Sequence, residues 1–166
     1  MTFTMAFLVA SLVALLKRFH TYFPSDLRQA KPTTASGAGW AVYDYLCVLE
    51  SKASDLFARM TPEQQVVYAI NSVRAEVASG GFNGYFGWTK GETAEKAIEA
   101  LSLFSPQMSE IVREATAEWG ENLREDRGAT SDFEDLDTRF YGIESSLPLD
   151  ELVDGYVAEN ESGLFK

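Results

Sequence analysis

Three observations predict an all-α fold, a compact multi-helix bundle of about six or seven helices. No stretch of useful length alternates apolar and polar residues with a period of two, whereas apolar residues recur at three- and four-residue spacings along most of the chain. The breaks between those stretches also carry helix punctuation, with capping residues and prolines ahead of them and glycines behind. A core is affordable: of 166 residues, 46% are hydrophobic and 13% aromatic, enough for one folded domain.

The first element, Phe3 to Leu16, is apolar around the whole helical wheel and ends at Lys17 and Arg18. At 1.5 Å per residue it reaches about 21 Å, short of the roughly 30 Å hydrocarbon core of a bilayer. Nothing basic precedes it and no small-residue cleavage pattern follows, so a signal peptide fits poorly. Residues 1–23 are therefore expected as an apolar helix docked on the fold or at a dimer contact. Membrane contact through residues 3–16 and an overextended start codon are the lesser readings, and the chain is placed in the cytoplasm. Residues 24–39, rich in Pro, Thr, Ser and Gly, read as a linker. Residues 40–160 then form the helical domain and 161–166 a tail.

Within that domain, Trp40 to Met60 carries Tyr43, Leu46, Cys47, Leu56 and Phe57 near helical spacing. Thr61-Pro62-Glu63-Gln64 supplies a cap, a proline at the first helical position and a Gln at the third, opening a helix through Val66, Val67, Ile70, Val73 and Val77. Ser79-Gly80-Gly81 is read as its end and Phe82 to Gly91 as a loop. Thr93 to Phe104 is a short helix stopped by Ser105-Pro106, the same pair that starts the next one. Ser131 and Glu134 suggest a second capping box ahead of Phe133, Leu136, Phe140 and Ile143. A last helix follows Pro148, with Leu149, Leu152, Val153, Tyr156 and Val157 inward and Asp150, Glu151 and Asp154 outward.

The helix from Pro106 to Leu123 is the most amphipathic. Measured from Glu110, the residues Glu114, Glu118, Glu121 and Glu125 fall between about 20° and 80°, while Met108, Ile111, Val112, Ala115 and Trp119 fall between about 100° and 200°. Net charge follows the same geography. The chain holds 25 acids against 14 bases, a net of −11, yet residues 1–60 sum to +2 and 16 of the acids lie from Glu110 onward. Such a surface repels a phosphate backbone, so direct nucleic-acid binding is excluded, and a basic partner suits it better.

No catalytic pattern survives inspection. One cysteine, Cys47, and one histidine, His20, supply neither a disulfide, a zinc set nor a Cys–His dyad. Asp132 to Asp137 lacks the sixth-position glycine of a calcium loop, and its Phe133 and Leu136 suit a helix. HExxH, CxxC, GxSxG and Gly-Lys-Ser/Thr phosphate loops are absent from the sequence. The chain is therefore read as a non-enzyme with no catalytic residue, no metal and no cofactor. The glycine-aromatic stretch Ser79 to Gly91 is read as structural: its glycines allow close backbone approach, Phe82, Tyr85, Phe86 and Trp88 plug the gap between helices, and Asn83 satisfies turn amides.

Glu76-Val-Ala-Ser-Gly-Gly-Phe-Asn-Gly-Tyr-Phe86, the following short helix, Leu136-Asp-Thr-Arg-Phe-Tyr141 and Leu149-Asp-Glu-Leu-Val-Asp-Gly-Tyr156 together resemble the bacterial DNA-mimic protein family over about Trp40 to Asn160. The resemblance marks Gly80, Gly81, Phe82, Asn83, Gly84, Tyr85, Phe86, Arg139, Phe140 and Tyr141 as a structural motif. It implies an all-helical, dimeric domain whose carboxylates imitate DNA phosphates and occupy the DNA-binding face of a basic protein such as a transcription factor. The carboxylates nominated for that face are Glu110, Glu114, Glu118, Glu121, Glu125, Asp132, Glu134, Asp135, Asp137, Asp150, Glu151 and Asp154. Five of them, on one helix, could span about 22 Å. Arg113 and Arg124 dilute the row by pairing with Glu110 and Glu121. An immunity or antitoxin-like module that covers a basic toxin or nuclease is the alternative for the same surface.

Overall fold

The computed structural model describes residues 37–50, 56–124 and 132–164. Phe3 to Leu16, His20, nearly all of the linker stretch, Glu125 and Ser131 lie outside them. The described residues form eight helices and no strand, the all-α class read from the sequence: α1 (Ala38–Glu50), α2 (Leu56–Arg59), α3 (Pro62–Thr89), α4 (Ala94–Ser102), α5 (Pro106–Arg124), α6 (Glu134–Glu144), α7 (Leu149–Glu159) and α8 (Glu161–Leu164). None of these is long and apolar enough to cross a membrane.

α3 is the axis of the bundle. Between Val66 and Val77 it is buried on nearly every side, including polar Asn71, Ser72 and Arg74, because α1, α4, α6 and α8 all pack against it. Its start is the capping box the sequence announces: the Gln64 amide donates to Thr61 Oγ1 at 3.2 Å and the Thr61 amide to Gln64 Oε1 at 3.0 Å, with Pro62 in the first turn. α8 returns to the same end, where Gln64 Nε2 donates to the Leu164 carbonyl at 2.7 Å. Residues 161–164, read as tail, are thus a docked turn with Gly163 and Leu164 buried.

The glycine pair does not end α3. The helix breaks at Gly80 and Gly81 and restarts at once, so that Phe82 to Thr89, expected as loop, is helical. Gly81 takes φ +65°, a left-handed backbone that a side chain resists. A restarted helix exposes amides without partners, and Asp137 from α6 accepts from the Phe82 amide at 2.8 Å. A Cβ on Gly81 would collide with that carboxylate. Asn83 accordingly sits on a helix rather than in a turn.

Helical spacing in the restarted turn carries Phe82, Tyr85 and Phe86 into the core. Phe82 meets Phe140 and Phe133 edge-on at 5.6 and 5.9 Å, and Phe86 stacks on Trp119 of α5 at 4.9 Å. Burial pushes the Tyr85 phenol up to about 12, and its hydroxyl lies 2.9 Å from Thr93 Oγ1. Trp88, expected among the plugging aromatics, instead points outward at 74% exposure.

Among the described residues, α4 and α5 share the most extensive helix–helix contact. Ser105 Oγ accepts the Met108 amide at 3.3 Å, and the buried Ser109 hydroxyl donates to the Ile98 carbonyl at 2.8 Å. The second capping box is not what opens α6. Phe133 occupies the cap position without a side-chain cap bond, and Asp132 Oδ1 lies 3.4 Å from the Glu134 amide.

Candidate acidic interaction surface

The amphipathic pattern of α5 is realised in three dimensions. Met108, Ile111, Val112 and Ala115 are buried, whereas Glu110 and Glu121 are exposed and Glu114 and Glu118 half-exposed. α6 packs alongside α5 and adds exposed Glu134 and Asp135, with Asp132 just ahead of it. An open depression of about 370 Å³, lined by Asp132, Glu134, Asp135 and Thr138, lies at the start of α6. The two helices therefore join two runs of carboxylates, well separated in sequence, into one surface.

Among the described side chains, two arginines sit within it. Arg113 pairs with Glu110, the i,i+3 pairing the spacing suggested. Arg139 crosses from α6 to α5 and grips Glu114 with both terminal nitrogens, Nη1 at 2.6 Å and Nη2 at 3.1 Å, while Nη1 lies 3.6 Å from Asp135. That hydrogen bond holds the Glu114 carboxyl below its ordinary range. Among the described residues no ion pair engages Glu118, Asp132 or Glu134.

Other nominated carboxylates are placed elsewhere. Asp137 faces inward as the cap of Phe82. Asp150, Glu151 and Asp154 lie on α7, whose neighbours are α1 and α8 rather than α5. Glu151 is exposed, but Asp154 is half-buried, contrary to the outward orientation read from the sequence, because the start of α1 packs over it. Asp154 Oδ1 accepts the Gly39 amide at 2.7 Å. Burial raises its carboxyl, assisted by nearby Asp150, against the lowering effect of the Gly39 bond.

Asp150 belongs to a charged junction centred on Arg74, a residue 8% exposed in the middle of α3. Arg74 Nε donates to Glu144 Oε1 at 2.6 Å, and Nη1 donates to Asp150 Oδ1 at 2.8 Å and Asn71 Oδ1 at 3.2 Å. The Trp40 ring lies over the guanidinium, 5.0 Å from its central carbon, and its indole N–H donates to Asp150 Oδ1 at 3.0 Å. Burial alone would raise the Asp150 carboxyl, but the bonds from Arg74 and Trp40 outweigh it and hold the group low. Sequence reading missed this junction. Its signal was present: one arginine in a run that is otherwise apolar on successive turns needs buried partners.

The structural motif divides in the same way. Gly81, Phe82, Tyr85, Phe86 and Phe140 build the core around the break in α3. Tyr141 is 40% exposed and its hydroxyl donates to the Val77 carbonyl. Gly80 has open space beside it, and a Cβ on Gly84 would meet the Glu76 carbonyl at 3.1 Å. Arg139 lies on the acidic surface rather than in the core.

Comparison with known families finds one described as DMP19-like protein, whose model matches residues 58–160, more than half of the chain. No curated protein and no solved structure matches.

Proposed function

The chain belongs to the DMP19-like protein family, and from that premise we propose that it is a DNA mimic: carboxylates of α5 and α6 stand in for phosphates and compete for the DNA-binding face of a basic protein such as a transcription factor. The observation that carries this reading is the joined surface itself. Residues four apart on one helix repeat about every 6 Å along its axis, whereas a DNA strand places a charge about every 3.4 Å. A single row is too sparse, and two packed helices about 8–10 Å apart roughly double the density on one face.

Glu110, Glu114, Glu118, Glu121, Asp132, Glu134 and Asp135 form that face in the proposal, whereas Asp137, Asp150 and Asp154 serve the fold. Association driven by such a surface is steered by charge and weakens as salt screens it. The immobilised full chain at low salt is expected to capture a basic DNA-binding protein and, in a gel-shift assay, to free that protein from its DNA probe. Glu118→Lys combined with Glu134→Lys should abolish both. A chain that displaces no captured protein from DNA overturns the proposal. Capture of a basic toxin or nuclease whose activity it blocks would assign the same face to a neutralising module.

A further inference from the structure

Two leucines away from the acidic face stand in solvent: Leu103, just past α4, is 62% exposed, and Leu152 of α7 is 37% exposed. Leu103 keeps helical backbone, so it lies one turn beyond Glu99 on the same face of α4. Leu152 in turn lies one turn ahead of Tyr156 on α7. Between the leucines, Phe104 meets Tyr156 edge-on with ring centroids 5.9 Å apart, and both rings are half-buried. That contact draws the end of α4 against α7 and leaves an apolar patch across the two.

The rim of the patch is acidic. Exposed Glu159 continues the row of Leu152 and Tyr156 along α7. Burial pushes the Tyr156 phenol up, and the charges of Glu63, at the start of α3, and Glu99 push it further, which places both carboxylates near the ring. Lys96 offsets one of them by pairing with Glu99 at 3.0 Å. A matching occupant is apolar along most of its length and carries positive charge at one end.

One segment of this chain has that composition. Phe3 to Leu16 contains no charged residue and is followed at once by Lys17 and Arg18. Its connection to the fold also ends beside the patch. Gly37, the first described residue, backs onto the Asp154 carboxylate, and Asp154 is two residues from both Leu152 and Tyr156, on the opposite side of α7. Residues 17–36 lie between, and 20 residues extend to about 65 Å, whereas crossing one helix takes about 10–12 Å. A ligand tethered in this way acts at roughly millimolar effective concentration, which favours it over an untethered competitor.

We propose that the patch at Leu103 and Leu152 is an intramolecular docking site for residues 3–18, with the apolar stretch laid on Phe104 and Tyr156 and with Lys17 and Arg18 against the acidic rim. Docked there, the stretch is withheld from lipid surfaces onto which it would otherwise partition. The site is separate from the α5–α6 surface, so it stands or falls independently of mimicry.

Photo-cross-linking in the full chain is the first test. A benzophenone amino acid in place of Leu103 should cross-link, on irradiation, to a peptide from residues 3–18. In an equal mixture of isotope-labelled and unlabelled chains, both cross-linked peptides should carry the same label. Leu103→Lys combined with Leu152→Lys should release the segment, so that flotation with phosphatidylcholine vesicles rises at least about tenfold over the unaltered chain. Mixed-label cross-links would assign the patch to a contact between copies and overturn the proposal. So would cross-links that miss residues 3–18, or an unaltered chain that floats as well as the double variant. Should that variant fail to fold, the cross-link decides alone.

Discussion

The Arg74 junction and the α5–α6 surface use the same side chains for opposite ends. At the junction, carboxylates converge on one buried guanidinium and their contacts fix how three helices meet. On the surface, carboxylates outnumber the arginines among them and face water. The carboxyl groups respond to their partners and not to the region. Bonds from Arg74 and Trp40 hold Asp150 low at the junction, and the bond from Arg139 holds Glu114 low on the surface. Asp154, covered by the start of α1, is raised by burial. Formal charge alone therefore does not identify an interaction face: a carboxylate's neighbours decide whether its charge is available to another molecule.

The sharpest way to break this contrast is at its centre. Replacing Arg74 with Met leaves Glu144 and Asp150 facing an apolar group. A fully buried pair broken this way costs about 3–5 kcal/mol, and because both carboxylates keep access to water we expect about 2–3 kcal/mol, read as a lower urea midpoint. Gly81→Ala comes next. It forces a side chain into left-handed backbone and onto Asp137, so the expected loss is about 2 kcal/mol, while Gly87→Ala, with open space beside it, should gain about 0.5–1 kcal/mol. Thermal unfolding of the pair separates the two glycine roles.

Asp154 tests the sign of the electrostatics. Its folded carboxyl is raised, so the charged form opposes folding at neutral pH, and that penalty is relieved as pH falls toward the folded value. Asp154→Asn keeps an acceptor for the Gly39 amide and removes the buried charge. It should therefore hold or raise stability at pH 7 by up to about 1 kcal/mol, an advantage that shrinks on acidification. Glu114 behaves in the opposite sense: its carboxyl is lowered, so its contribution is present above its ordinary range and lost as pH falls. The smallest effect on folding belongs to Glu118→Gln and Glu134→Gln, which should leave the unfolding midpoint unchanged while weakening partner capture at low salt. A fall in stability from either would show that the surface carboxylates are also structural.

What could be read from the sequence was local. The box at Thr61 and Gln64 and the Ser105-Pro106 boundary each depend on residues a few positions apart, and the structure contains both. The fate of the Gly80-Gly81 break could not be read that way. Its restart depends on Asp137, 55 residues downstream, and no window of helical spacing contains both partners. Asp154 shows the same limit. Periodicity correctly separated it from Val153 and Val157, but the face it occupies is covered by α1, which periodicity within α7 does not see. On the candidate surface, the α5 row was legible, but which of the other nominated acids lie beside it was not. Asp132, Glu134 and Asp135 do and those of α7 do not, because that rests on how the helices pack and on Arg139 reaching Glu114.

The three tryptophans mentioned above occupy three different settings, and this makes the protein its own optical instrument. Trp88 stands in solvent, Trp119 lies flat on Phe86, and Trp40 covers a guanidinium. A dissolved quencher such as iodide should first extinguish the emission of Trp88, leaving a bluer spectrum. Emission that remains would then report on the aromatic core and on the seating of α1 without any label being attached.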